Sequence, residues 1–526
     1  MLSLLFMLST SYAQDPNACT SVTATQAYLE GFEAQTNRRT TDALNAYNKC
    51  LKEEPNCVQC HYEIGWTYWS RSEWKKVQSH WEKVVALEPN NQEYKDRLQE
   101  AKRKASQKKG TPKGMRIPMG TTSIKNGIEM QLVARFQNYS QKQNSGGDHF
   151  DEMIYSPKSA RYSQDGKKVY VNSLEGFRTV SSDTTTLERI GSVEHHFDAQ
   201  TEALFQGENT VFGYKYNRKS KTGNPNHFKG KPVESALSHN GRYLWVPYYR
   251  RDYDKGATSP SAVSIIDTQT DTIVRMMPTG PIPKYVAISP DNKWAAIAHW
   301  GDNTLGVIDI SSGDPKTFKY LPERLVVERV MPQKGLTGTN RDATCGFCLR
   351  GTIFSPDSKT LLVSRMGGGG VAGFDVDSWK YLGTIYGEKP TPRHLVISKD
   401  GQWLYMSSNR AGYVSKSSLP NVVSALRGAE GKKVKYTDWK TLYVGSGART
   451  IEISEDGTRL FAAINNSAEL VVIDAINMTQ LNRIRTDSYA VGLAVSKDGT
   501  QAWTTSQGKK GGGGNSVCVY SIQKVK

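Results

Sequence analysis

No run after residue 20 of this 526-residue chain approaches the roughly 18 consecutive apolar residues that a membrane-spanning helix needs. The marks of the common catalytic machineries are missing too. There is no HExxH, no GxSxG elbow, no Walker loop and no EF-hand loop. The glycine runs at 367–370 and 511–514 stand in loops of a β pattern and open no helix, which excludes a phosphate cradle of the usual kind. Acidic residues are in deficit. Asp and Glu number 51 against 68 Lys and Arg, a formal charge of +17 that suits anionic partners such as polyanionic glycans, nucleic acid or phospholipid headgroups.

What is present begins at the N-terminus. Residues 1–13 (MLSLLFMLSTSYA) are apolar and end in small residues, which reads as a signal peptide cleaved after Ala13, although the usual basic start is absent. A periplasmic or secreted protein is therefore expected. Cys19 lies too far beyond the apolar run to be a lipobox cysteine. The basic run at 102–116 reads as a solvated helix end and linker, with a dedicated polyanion-binding arm as the alternative.

Two internal periods organise the remainder. Gly31 and Gly65, Tyr47 and Trp81, Cys50 and Val84, and Pro55 and Pro89 each lie 34 residues apart. A glycine that lets two helices approach, an aromatic that fills the groove and a proline that ends the second helix make a helical hairpin. The stretch resembles two tetratricopeptide repeats, at 24–57 and 58–91, followed by a charged capping helix. It departs from that pattern at Ala34 and Val77.

From residue 155 onward a second signal recurs seven times. A serine precedes a turn at Ser163, Ser238, Ser289, Ser355, Ser398, Ser454 and Ser496, usually as Ser-x-Asp-Gly, with short β-branched strands on either side. A third strand often follows and ends in aspartate, as at Asp267, Asp309, Asp375 and Asp474. Seven such groups predict the seven blades of a β-propeller, and the segment 128–136 (IEMQLVARF) is expected to supply the strand that closes the ring. The stretches at 288–309 and 460–474 resemble the YVTN-type propeller repeats of exported bacterial proteins. That resemblance implies the fold over about 128–524 and leaves function open, because relatives include surface-layer proteins, nucleic-acid binders, lactonases and cofactor-bearing oxidoreductases. The expected layout is a signal peptide at 1–13, an all-α tetratricopeptide domain at 14–109, a basic linker at 110–127 and an all-β propeller at 128–526.

Registering the blades on their turns identifies the residue that enters each innermost strand, beside the central channel. These residues are Lys158, Val233, Lys284, Arg350, Arg393, Arg449 and Val491. Five are basic, whereas 68 Lys and Arg among 526 residues would place one at about one position in eight. Converging positive charge in a narrow channel favours an anionic ligand. The alternative is that these side chains solvate the channel or pair with Glu234 and nearby carbonyls. His394 beside Arg393, and His299, Arg365 and Tyr248 at matching distances after their turns, are expected to contribute.

Cysteine supplies the last candidates. Cys345 and Cys348 form a CGFC motif just before Arg350, read as a local disulfide, with a redox or metal role or free thiols as alternatives. Cys57, Cys60 and His61 match CxxCH, the c-type haem attachment signature. The match falls in register with the second helical repeat and nothing nearby reads as a haem pocket. A disulfide among Cys19, Cys50, Cys57 and Cys60 is therefore expected, with haem as the alternative, and no other cofactor is. Cys518 is expected in a core strand. His195, His196 and Asp198 are a weak metal signal, because adjacent residues of a strand face opposite ways.

Together these features predict an exported, non-enzymatic binding protein, with a protein partner on the helical face and an anionic ligand or polyanion in the propeller funnel. Two alternatives stand beside it. One is a periplasmic oxidoreductase or lactonase-like enzyme that uses the funnel with Cys345, Cys348, His299 and His394; the other is a structural protein of cell-envelope assembly.

Overall fold

The computed structural model describes residues 19–36, 39–70, 73–106, 116–139, 146–331, 340–508 and 515–525. The expected signal peptide, the glycine run at 511–514 and most of the basic stretch at 102–116 lie outside the described residues. The chain divides into two compact units, Met1–Thr111 and Pro112–Lys526.

The first unit holds α1 (Val22–Thr36), α2 (Thr40–Glu53), α3 (Val58–Ser70), α4 (Trp74–Leu87) and α5 (Gln92–Ser106). Helix α1 packs on α2, and α4 packs on both α3 and α5. Glycine fixes the closeness of the two hairpin contacts. A Cβ on Gly31 would stand 2.6 Å from the Tyr47 ring, and one on Gly65 would stand 2.0 Å from Trp81. Any side chain there would push the helices apart. Behind Trp81 an aromatic cluster of Tyr62, Trp66, Trp69, Trp74 and Tyr94 fills the second hairpin. The backbone amides of Thr20 and Ser21, just before α1, donate to the Glu54 carboxylate at 3.1 and 2.8 Å, placing negative charge where a helix start favours it.

Among the described residues the second unit contains seven sheets, in agreement with the seven turn signals. In chain order, their innermost strands are Pro157–Tyr162, Ala236–Ser238, Pro283–Ile288, Leu349–Phe354, Pro392–Ile397, Ala448–Ile453 and Ala490–Val495. Each opens an antiparallel meander, and from Ala236–Ser238 onward each packs beside the innermost strand of the next sheet. The ring closes where Ser159 donates to the carbonyl of Val233 at 2.5 Å on one side and the strand 157–162 packs on 490–495 on the other. This is a seven-bladed β-propeller.

The turn chemistry explains the repeat. In the first blade the Ser163 hydroxyl donates to Asp165 at 2.6 Å and accepts from the amide of Lys168 at 2.9 Å. The same pair recurs at Ser289, Ser355, Ser398, Ser454 and Ser496. The last turn residue then takes a left-handed conformation, with φ near +70° at Gly401 and Gly457 and +55° at Asn292, which is why Gly or Asn favours the position.

The final blade is completed by the start of the unit. Ile128–Gln137 pairs antiparallel with Ser516–Lys524, from Ile128 opposite Lys524 to Gln137 opposite Ser516. Buried Arg135 fastens this closure through Asp148 at 2.7 Å and Asp487 at 3.3 Å. One element has no counterpart in the sequence reading. Helix α6 (Leu419–Arg427) interrupts the fifth blade, started by Ser418, whose hydroxyl accepts from the amide of Asn421. The cores lie between blades, as where Trp245, Ile265, Val286, Ile297 and Phe318 pack together.

Candidate functional site at the propeller axis

The five basic residues that begin innermost strands act on one another electrostatically. Arg449, Arg350, Lys284 and Arg393 all bear on Lys158. They stand at the starts of innermost strands around the axis, here called the neck. Arg350, Arg393 and Arg449 are buried, and Lys158 and Lys284 are half-buried. The remaining two positions are the buried valines Val233 and Val491, so the ring is apolar where it is not charged.

Two of the five cations are paired. Arg350 donates to Glu234 and to the carbonyl of Lys284 at 2.9 Å. Lys284 meets Asp342 at 2.6 Å, with the faces of Tyr249 and Trp300 at 4.4 and 4.8 Å. The other three have no ion-paired carboxylate among the described residues, although Glu234 bears on all three and Asp342 on Lys158. Arg393 touches the Met366 sulfur at 3.2 Å, the Nε of Arg449 has no partner, and Lys158 has no hydrogen bond or ion pair.

The electrostatics follow from this imbalance. Burial first, then Arg449 and Arg350, pull Arg393 well below the guanidinium range. Burial likewise lowers Arg449, and burial with Arg350 and Arg393 brings Lys284 down to about 8 despite Asp342. A guanidinium stays charged at any physiological pH, so its downward pull measures the cost of keeping it there. Glu234 behaves oppositely. Burial resists its ionisation, but Arg350 and its neighbours hold it below the usual carboxylate range.

A cavity of about 720 Å³ is lined by Arg161, Tyr285, His394, Glu452 and the turn residues 163–166 and 495–498. None of the five neck cations lines it. Arg161 faces Glu452 at 3.6 Å. His394 is pushed down to about 3 by burial and is neutral. Its Nδ1 accepts from the amide of Ile451 at 3.4 Å, so Nε2–H donates to the Tyr285 hydroxyl at 2.8 Å. A larger surface groove of about 950 Å³ around Trp403 and Lys416 mixes lysines and carboxylates in like number and selects no sign of charge.

No family model matches the chain, and no curated protein matches it. Many solved structures are similar to it in fold. The Cps50 (Swd1) β-propeller domain of Myceliophteria thermophila shares 11% identity at a TM-score of 0.49, covering 70% of this chain and 97% of its own. Hydrazine synthase of Kuenenia stuttgartiensis shares 14% at 0.46, covering 70% and 95%. At such values the likeness adds nothing to the blades already counted.

Three expected contributors do not join the ring. Each lies on the second strand of its blade, His299 and Arg365 at its end, and is consumed there. Tyr248 is fully buried, with its hydroxyl on His195 Nδ1 at 3.0 Å. His299 accepts from the amide of Gly280 at 3.1 Å and bonds Thr304 at 2.8 Å. Arg365 pairs with Glu328, bonds Thr384 at 2.8 Å and lies 3.8 Å over Phe347. Equal distance after the turn gives equal height in the blade, but not a view of the axis.

Cys345 and Cys348 are joined as a disulfide, with Cα atoms 4.9 Å apart. In the first unit Cys19 pairs with Cys57 and Cys50 with Cys60. The residues do not fit the haem alternative. Cys57 and Cys60 point into a core with Tyr28 and Ile64, and both His61 nitrogens are engaged, on the carbonyl of Pro55 and on His80 at 3.0 Å each. Cys518 is a buried free thiol. His195 is buried and engaged on both nitrogens, whereas His196 points outward, so these two share no metal. The sequence reading missed Asp342, Arg161, Tyr285 and Glu452. Asp342 sits in an insertion with no register to the blades, while Arg161 and Glu452 stand three residues after ring positions and were legible by the same counting.

Proposed function

We propose that the chain is an exported binding protein whose propeller neck captures a small, multiply charged oxyanion and whose N-terminal helices engage a protein partner. The carrying observation is the charge count at the neck. Lys158, Arg393 and Arg449 make no ion pair with a carboxylate among the described residues, while Glu234 and Asp342 bear on several of the five but are in ion-pair contact with Arg350 and Lys284. Uncompensated buried charge is costly, and a ligand with two or three negative charges removes that cost.

The remaining elements of the proposal have separate support. The Gly31–Tyr47 and Gly65–Trp81 contacts, 34 residues apart, support reading α1–α4 as tetratricopeptide hairpins with a concave face for a partner segment. The serine-aspartate turns support membership among the YVTN-type repeats. Three disulfides and the apolar start support export.

Calorimetric titration of the whole protein with pyrophosphate, citrate and heparin tests the ligand reading. Pyrophosphate or citrate is expected to bind with one-to-one stoichiometry, and the Arg393→Ala, Arg449→Ala double variant to lose at least about tenfold in affinity, or about 1.4 kcal/mol. Unchanged affinity in that variant, or binding of heparin alone, rejects the reading.

A further inference from the structure

Four sulfurs gather at one point in the first unit. The Sγ atoms of Cys19, Cys50, Cys57 and Cys60 all lie within 4.8 Å of one another, and all four residues are buried. Across the two disulfides, Cys19 approaches Cys50 at 3.6 Å and Cys60 at 3.8 Å. Two disulfides require only their own bonds, and neither requires the other to share its centre. Four thiolates on a tetrahedral ion do. With zinc–sulfur bonds of about 2.3 Å, the edges of a zinc tetrathiolate are about 3.8 Å long. The two cross-distances match that length.

We propose that the reduced protein binds one Zn²⁺ through Cys19, Cys50, Cys57 and Cys60, and that oxidation to the two disulfides releases it. The ligands come from three helices. Cys19 precedes α1, Cys50 lies in the last turn of α2, and Cys57 and Cys60 flank the start of α3 at the two-residue spacing of a chelating pair. The helix dipole favours thiolates at that start and offsets part of the charge of a buried tetrathiolate. His61, next to Cys60, has both nitrogens engaged, which leaves sulfur as the ligand set. Tyr28, Ala43, Tyr47 and Ile64 close the site, so it is a structural centre with no open position for a substrate. Within the bonded pairs the Cα atoms stand 5.4 and 6.6 Å apart, and the sulfurs part by side-chain rotation once the bonds are cut. Each disulfide takes two electrons and two protons from a dithiol reductant, which leaves as its own disulfide. Zinc then displaces the four thiol protons and forms four Zn–S bonds, without change in its oxidation state. In reverse, a disulfide oxidant accepts the two electron pairs, two S–S bonds form and the ion is freed.

The test uses the whole protein, reduced under exclusion of oxygen with a phosphine, exposed to zinc, desalted and assayed for metal. About one zinc per chain is expected after reduction and none before it. Co²⁺ in place of zinc is expected to give the intense ligand-field and sulfur-to-metal charge-transfer absorption of a tetrahedral thiolate site. The Cys19→Ser, Cys57→Ser double variant should bind zinc at least about tenfold more weakly, and the Cys345→Ser, Cys348→Ser double variant should bind it as the parent does. If reduction loosens the helices, zinc should restore their circular dichroism. The proposal is overturned if the reduced protein retains no zinc, if cobalt shows only the weak absorption of an oxygen-ligated octahedral ion, or if zinc follows Cys345 and Cys348 instead. A reduced chain whose helices zinc fails to restore overturns it equally.

Discussion

Replacing Arg393 by methionine separates the cost of the neck from its use. The guanidinium is buried, it donates to the Met366 sulfur and makes no ion pair among the described residues, and Arg449 and Arg350 oppose its charge more than Glu234 favours it. Two like charges about 8 Å apart in an effective dielectric of about 20 repel by about 2 kcal/mol. Methionine keeps most of the apolar stem and removes the charge. Exchanges of buried charge for apolar volume stabilise by about 1–4 kcal/mol where the charge was poorly compensated. The ligand-free Arg393→Met protein should therefore melt at least as high as the parent, by a rise of a few degrees. Anion then reverses the order. At one hundred times its dissociation constant a ligand adds about 2.7 kcal/mol, and a tenfold weaker ligand at the same concentration adds about 1.4 kcal/mol less. Scanning calorimetry of both proteins, with and without pyrophosphate, reads both signs. A ligand-free variant that melts several degrees lower would mean that Arg393 is a paired structural cation, and the charge-count argument would be refuted.

Two other predictions concern the frame around the site. In the first unit Glu63 is buried against Gln35 at 2.6 Å and its acid is pushed up to about 7 by burial. A carboxyl raised on folding stabilises fully below its ordinary range near 4.5 and loses that contribution as pH climbs through about 7, up to about 3 kcal/mol in all. Glu63→Gln should be near neutral at about pH 5 and stabilising at about pH 8, read by helical circular dichroism; equal effects at both pH values refute it. In the second unit Arg135→Ala leaves Asp148 and Asp487 buried without their cation and should cost about 3–5 kcal/mol in denaturant unfolding. A cost below about 1 kcal/mol would show that the blade closure does not depend on it.

What the sequence discloses here tracks how local the physics is. The Ser-x-Asp-Gly turn is satisfied within about six residues by its own hydroxyl, carboxylate and left-handed glycine, so each copy announces a blade wherever it falls. The helix contacts Gly31–Tyr47 and Gly65–Trp81 sit within one repeat and are equally legible. The basic ring follows at one remove, since seven strands counted from seven turns share a height on the axis. Counter-charges obey no such count. Glu234 reaches Arg350 from two blades away, and Asp342 reaches Lys284 from an insertion, so no spacing reveals which cations are neutralised. The same counting over-assigned Tyr248, His299 and Arg365, because these second-strand side chains are taken up by partners that no count from the turn reveals. Five cations converge on one axis from five blades, and three of them make no ion pair among the described residues, a convergence inconsistent with stability alone. Such an inconsistency persists when something outside the chain completes it, which is the physical ground for assigning an anion to this axis.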